Sequence, residues 1–146
     1  MFTNLKNVCF LSMLLLSVVT LVSCGSSRTV AVEEGWELLD ERKVNFVRDV
    51  DEIEVKSRNE FTAIKFRVEG KDIRINDLKI FFENGDKLEP SLDATIVAGT
   101  ESRIIELGRE GRRIDRVEFK YRSTGSLLEG RANVLVFARR FNLYRD

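Results

Sequence analysis

The sequence predicts an all-β fold: a single antiparallel β-sandwich or partly open barrel of about eight strands, with a small α+β domain as the alternative. Three observations carry this. After residue 24, apolar residues recur with period two over short runs, the mark of strands with one face buried. Turn signals rich in glycine and asparagine separate those runs. No stretch beyond residue 24 sustains a helical apolar stripe over about ten residues.

Taken in order, Trp36-Glu37-Leu38-Leu39 opens the domain and predicts a strand at 36–39, with a second at 43–47. A lone tryptophan beside two leucines reads as core, although an exposed indole would stack on a sugar ring. Asp49, Asp51, Glu52 and Glu54 gather acids ahead of and within a strand at 52–56. Calcium asks for about six to eight oxygens in one loop geometry, and no glycine-bearing EF-hand loop follows. The run reads as a turn feeding a strand with charged outward residues, and no metal is assigned. In the strand at 61–68, Ile64, Phe66 and Val68 share one face, with Lys65 and Arg67 opposite. Gly70-Lys71-Asp72 turns the chain into 73–82, where Leu78, Ile80 and Phe82 align and Asn76-Asp77 is a candidate break. Asn84-Gly85 between Phe82 and Leu88 signals a hairpin, because both residues tolerate positive φ. Pro90, the only proline, falls in a loop. Strands are expected at 94–97 and 102–107, then at 114–122 after the turn Gly108-Arg109-Glu110-Gly111. After Ser123-Thr124-Gly125-Ser126, a last strand at 131–139 is apolar on both faces from Ala132 to Ala138, which suits a central position. One of these nine runs is expected not to form.

The segment ahead of the domain has another character. Lys6 is its only charge, and an apolar run from Val8 to Val22 follows. That run spans roughly 22 Å as a helix, short of a bilayer core of roughly 30 Å. These are the charged and apolar regions of a secretory signal. The run ends Leu21-Val22-Ser23-Cys24, which resembles the bacterial lipobox, a short and position-specific motif. The resemblance implies cleavage before Cys24 and diacylation of its thiol, so that the lipid bilayer is a partner through acylated Cys24. Two or more acyl chains anchor stably. Ordinary cleavage at the small-x-small triplet Ser23-Cys24-Gly25 is the alternative, with an uncleaved anchor behind it. The organisation expected is a signal peptide at 1–23, a tether at 24–34 and one β-domain at 35–146. A tether that short reaches at most about 35 Å, so partners are expected near the membrane. By resemblance to lipoprotein sorting in two-membrane bacteria, Gly25-Ser26 lacks the aspartate of inner-membrane retention. That favours the outer membrane of a cell envelope where there is one.

Composition excludes much. Loss of the leader removes Lys6 alone, leaving 23 basic and 24 acidic residues, a balance that argues against nucleic acid as a partner. Of two cysteines, Cys9 leaves with the leader and Cys24 is consumed by lipid, so no disulfide or catalytic thiol remains. Histidine is absent, which removes Ser-His-Asp and Cys-His machinery, imidazole zinc sites and a histidine-ligated haem. No catalytic residue and no cofactor are assigned. Paired carboxylates would still permit glycoside hydrolysis, but with 24 acids chance pairs are expected.

Arginine is the distinctive feature: 16 Arg against 7 Lys follow residue 23. Residues 103–146 carry 11 basic and 6 acidic residues. Arg109, Arg112, Arg113 and Arg116 surround one turn, and Arg139-Arg140 end the last strand. Guanidinium forks bind carboxylates and phosphates bidentately, so the four around the turn form a candidate anion-binding site. The ligand would be an anionic glycan, a lipid head group or the acidic face of an envelope protein. The plainer alternative is cross-strand pairing with Glu106, Glu110, Asp115 and Glu118.

Several features together resemble a family of small exported bacterial domains of unknown function. They are Trp36-Glu37-Leu38-Leu39, Asp49-x-Asp51-x-Ile53-x-Val55, Phe61-x-x-Ile64-x-Phe66-x-Val68, Ile73-x-Ile75-x-Asp77-x-Lys79, Phe82-x-Asn84-Gly85, Arg103-x-Ile105-x-Leu107 and Arg113-Ile114-x-x-Val117 leading to Tyr121. Asp40 stands where a glycine is expected after the leucine pair. The resemblance implies a β-domain in the envelope and transfers no catalytic residue. The function expected is a membrane-anchored, non-enzymatic binding or interaction module. An assembly subunit of an envelope complex and a small carboxylate-dependent hydrolase are the alternatives.

Overall fold

In the computed structural model, which describes residues 29–44, 50–123 and 131–142, the described residues form strands and no helix. The strands are β1 (Trp36–Val44), β2 (Val50–Glu54), β3 (Phe61–Glu69), β4 (Ile73–Phe82), β5 (Lys87–Leu88), β6 (Ala94–Ile96), β7 (Ile105–Glu106), β8 (Ile114–Ser123) and β9 (Ala132–Arg140). They pair antiparallel into two sheets. One has the order β1-β9-β3-β7, and the other β2-β8-β4-β5 with β6 also paired to β4. Neither sheet closes on itself, so the fold is the all-β sandwich that the alternation predicts, and the α+β alternative falls.

Period-two patterning places the core between the sheets. Ile64, Phe66 and Val68 of β3 and Val134, Val136 and Ala138 of β9 face Ile73 to Phe82 of β4 and Val117, Phe119 and Tyr121 of β8. Phe66 meets Phe119 edge-on at 5.9 Å, and this contact ties the sheets together. The doubly apolar β9 lies between β1 and β3, the central place its sequence predicts.

Bulges account for the places where the alternation slips. In β4 the buried set changes from Ile73 and Ile75 to Leu78, Ile80 and Phe82, a change of parity that would turn one half outward. The register with β8 skips between Ile75 and Asp77, and the extra residue restores the facing. The expected break at Asn76-Asp77 is therefore a bulge in one continuous strand. The strands expected at 36–39 and 43–47 are likewise a single β1, with a bulge between Leu38 and Asp40, next to the position where the resemblance leads to the expectation of glycine. The runs at 94–97 and 102–107 shorten to β6 and β7, and β5, too short to announce itself, completes the Asn84-Gly85 hairpin. Residues 1–23, Cys24, Phe46, Val47, Asp49 and the turn at 124–126 lie outside the described residues.

Candidate functional site

A third bulge prepares the site. Between Phe61 and Ala63 the register of β3 against β9 slips by one, which keeps both Phe61 and Ile64 inward and sets Thr62 against Arg139. The Thr62 hydroxyl accepts from Arg139 Nε at 3.0 Å, and Glu106 of β7 accepts from Arg139 Nη2 at 2.7 Å. Arg139 is thus held from two sides. The next residue, Arg140, stands 3.7 Å from Glu37 and donates its backbone N–H to Gly35 O at 2.9 Å. Here, where β1 begins and β9 ends, lies a cleft of about 730 Å³, lined by Glu34, Trp36, Arg109, Arg139, Arg140 and Phe141 among others. Arg109 enters from the loop between β7 and β8. It is exposed and makes no ion pair or hydrogen bond among the described residues, and the same holds for Glu34. Arg109 shares the cleft lining with Arg139 and Arg140, and a guanidinium fork has the geometry for a carboxylate or phosphate.

Residues 10–138 match the family described as Domain of unknown function (DUF2541). The chain belongs to that family. The DUF2541 match begins inside the apolar run and ends at the last apolar residue of β9, so it holds Cys24 and Arg109, while Arg139 and Arg140 follow directly after it. No curated protein matches the chain. No solved structure matches it either.

In this DUF2541 chain the four arginines of the predicted cluster part company. Arg109 lines the cleft, whereas Arg112, Arg113 and Arg116 lie by the second sheet. Arg112 covers the Phe82 ring at 3.5 Å and pairs with Asp86 at 2.7 Å. Arg116 covers Phe81 at 3.7 Å and pairs with Asp115 at 2.9 Å and Glu52 at 3.4 Å. Arg113 lies 3.7 Å from Glu83. Asp115 is the one expected pairing acid that serves them; Glu106 instead serves Arg139 across the first sheet. Arg139 and Arg140 stood out in the sequence only as a charged strand end. Their neighbours come from strands distant in sequence, and register alone brings them together. Among the described residues no cluster of three metal-ligating side chains occurs. Asp51 accepts from the Tyr121 hydroxyl at 2.8 Å.

Beside the cleft, the outer face of the first sheet holds the one charged side chain buried among the described residues. Lys65 donates to Glu33 at 2.7 Å, lies 2.8 Å from Glu101 and stands 4.4 Å above the Trp36 ring. Burial alone pushes the Lys65 ammonium down, but the bonds to Glu101 and Glu33 outweigh it and hold the pKa above its ordinary value. Burial likewise works against the Glu101 carboxylate, yet Lys65 and Arg67 hold it below the usual range. Arg67 also donates to Ala31 O at 3.1 Å. The segment Ala31–Gly35 is thereby pinned to β3, and Trp36 is buried under Lys65 and Arg139, apart from the main core. With a cation over its ring and 6% exposure, Trp36 offers no open face for stacking.

Proposed function

We propose that this DUF2541 protein is an exported lipoprotein, held in the cell envelope by acyl chains on Cys24. Its β-sandwich is a non-enzymatic binding module whose site is the cleft of Arg109 and Arg140, with Arg139 held in its wall by Thr62 and Glu106. The ligand presents a carboxylate or phosphate on an envelope glycan or protein. One observation carries the choice of site: Arg109 is the member of the arginine cluster with no ion pair or hydrogen bond among the described residues, and it shares the cleft lining with Arg140. A non-catalytic role is supported by the absence of histidine from the chain. Among the described residues, the carboxyls that depart from their ordinary pKa, Glu89, Asp93 and Glu101, are lowered, and a general acid at neutral pH needs the opposite. The lipobox resemblance and the apolar run support the address. Ala31 is pinned to β3, and seven residue steps separate it from Cys24, a covalent reach of at most about 25 Å.

Two measurements test this. Metabolic labelling with a fatty-acid analogue should mark the wild type, and Cys24→Ala should be unlabelled and leave the membrane fraction. A variant that still labels overturns the anchor. On an array of carboxylate-bearing glycans and peptides, Arg109→Ala with Arg140→Ala should weaken binding at least about tenfold, while Arg112→Ala with Arg113→Ala leaves it unchanged. The reverse pattern overturns the choice of cleft.

A further inference from the structure

The charges of the cleft divide into those the fold uses and those it leaves. Glu33 is bound to Lys65 and Arg139 to Glu106, so both are structural charges. Arg140 is half satisfied, 3.7 Å from Glu37. Arg109 and Glu34 have no ion pair among the described residues, with each other included, so they stand more than 4.0 Å apart. One recess therefore presents an unspent cation and an unspent carboxylate that do not neutralise each other. The contrast is the groove at Phe82, Glu83 and Gly111 to Arg113, where Arg112 is closed by Asp86 at 2.7 Å and Arg113, like Arg140, lies 3.7 Å from an acid, so that neither arginine there is without a carboxylate. A polyanion that satisfied Arg109 would bring like charge against Glu34, and like charges at close range cost affinity. A ligand carrying both signs meets both groups.

Resting on the cleft reading above, we infer that the ligand is a short zwitterionic peptide with a free C-terminal carboxylate and a free amino group. The carboxylate takes the guanidinium fork of Arg109, with Arg140 beside it, and the ammonium takes Glu34. A volume of about 730 Å³ lies in the ordinary range for a small-molecule site, roughly 300–1,000 Å³, which suits a short peptide. Phe141 supplies apolar wall for their side chains. Lys65 and Arg139 take no part beyond holding the walls in place.

The test is calorimetric titration of the lipidated full chain in phosphatidylcholine nanodiscs. The probes are trialanine, its C-terminal amide, its N-acetyl form and a hexameric polyuronate. Trialanine should bind tightest, with the amide and the N-acetyl form each about tenfold weaker. Arg109→Ala should abolish the difference between acid and amide. Glu34→Gln should abolish the difference between free and acetylated amine. Both side chains are exposed and make no ion pair or hydrogen bond among the described residues, so both variants should fold as the wild type does. Equal binding of the free and acetylated amines, or a polyuronate that outcompetes trialanine, overturns the zwitterion and leaves the cleft standing as an anion site, whereas equal binding of acid and amide overturns both. Silence from all four probes overturns this inference and the carboxylate form of the cleft reading with it.

Discussion

At the scale of single residues, Lys65 decides how the start of the domain is held. Its side chain is 7% exposed, while Glu33 is 63% exposed and Glu101 30%. Breaking a buried pair from one side strands a charge, commonly for about 3–5 kcal/mol. Glu33→Gln combined with Glu101→Gln leaves the ammonium with no carboxylate and should cost about 3 kcal/mol. Lys65→Met removes the charge and keeps the stem over Trp36. It should cost less than half as much, because Glu101 retains Arg67 at 2.6 Å. Urea unfolding followed by Trp36 fluorescence reads both, and equal losses would mean that packing rather than charge holds Lys65. The pKa directions set the pH window. Glu101 is lowered, so its contribution is present above the ordinary glutamate range and lost as pH falls through the depressed folded value. Lys65 is raised, so its contribution is present below the ordinary lysine range and lost as pH rises through the folded value. The stability difference between wild type and Lys65→Met should stay flat from about pH 5 to about pH 10 and shrink outside those limits. A difference that peaks near neutrality contradicts it.

At the scale of elements, the corner between β3 and β4 carries the chain from one sheet to the other through Gly70, Lys71 and Asp72. Gly70 has φ +85°, and a Cβ there would lie 2.6 Å from the carbonyl oxygen of Arg131, a backbone atom with nowhere to go. Gly85, in the Asn84-Gly85 hairpin, has φ +87° with nothing within 4 Å. Gly85→Ala should therefore cost about 1 kcal/mol for the left-handed conformation alone. Gly70→Ala should cost at least about 2 kcal/mol more, since the clash adds to the same strain. Urea midpoints rank the two, and equal shifts would show that the Arg131 strand end yields. The two glycines also show what was legible in the sequence. Both turns announce themselves by composition, and so do the long strands, because burial of one face writes period two into the chain. What separates the turns is invisible there: one closes a hairpin and the other crosses between sheets. Bulges were invisible for the same reason, since a change of parity reads as an end or a break until a partner strand supplies the register. The site follows this rule. Arg109 was singled out by its local cluster, but its partners in the cleft come from β1 and β9, and no local pattern joins residues 34, 109 and 140.

At the scale of the whole molecule, the order β1-β9-β3-β7 makes the last strand the keystone of the first sheet. β1 pairs along its length with β9, from Trp36 with Arg139 to Val44 with Ala132, and β3 pairs with the other edge of β9. Neither β1 nor β3 has its main partner until the chain is almost complete. Closing these long loops costs entropy before any contact repays it, and topologies dominated by distant pairings fold in milliseconds to seconds. The second sheet has no such debt at its hairpin, where Ile80 meets Leu88 across Asn84-Gly85. Folding should therefore begin around β4, β5 and β8. The amides of β1, β3 and β9 should become protected together and later, because β9 supplies inward Val134 and Val136 to the core at the moment it supplies hydrogen bonds to both neighbours. Pulsed hydrogen exchange during refolding resolves the order. Truncation after Arg131 sharpens the test: without β9 the first sheet loses its centre, and the shortened chain should be open to protease throughout. If β1 and β3 gained protection ahead of β9, or the truncated chain resisted protease, the two strands would have to hold each other directly, and the sheet would owe its form to something other than its central strand.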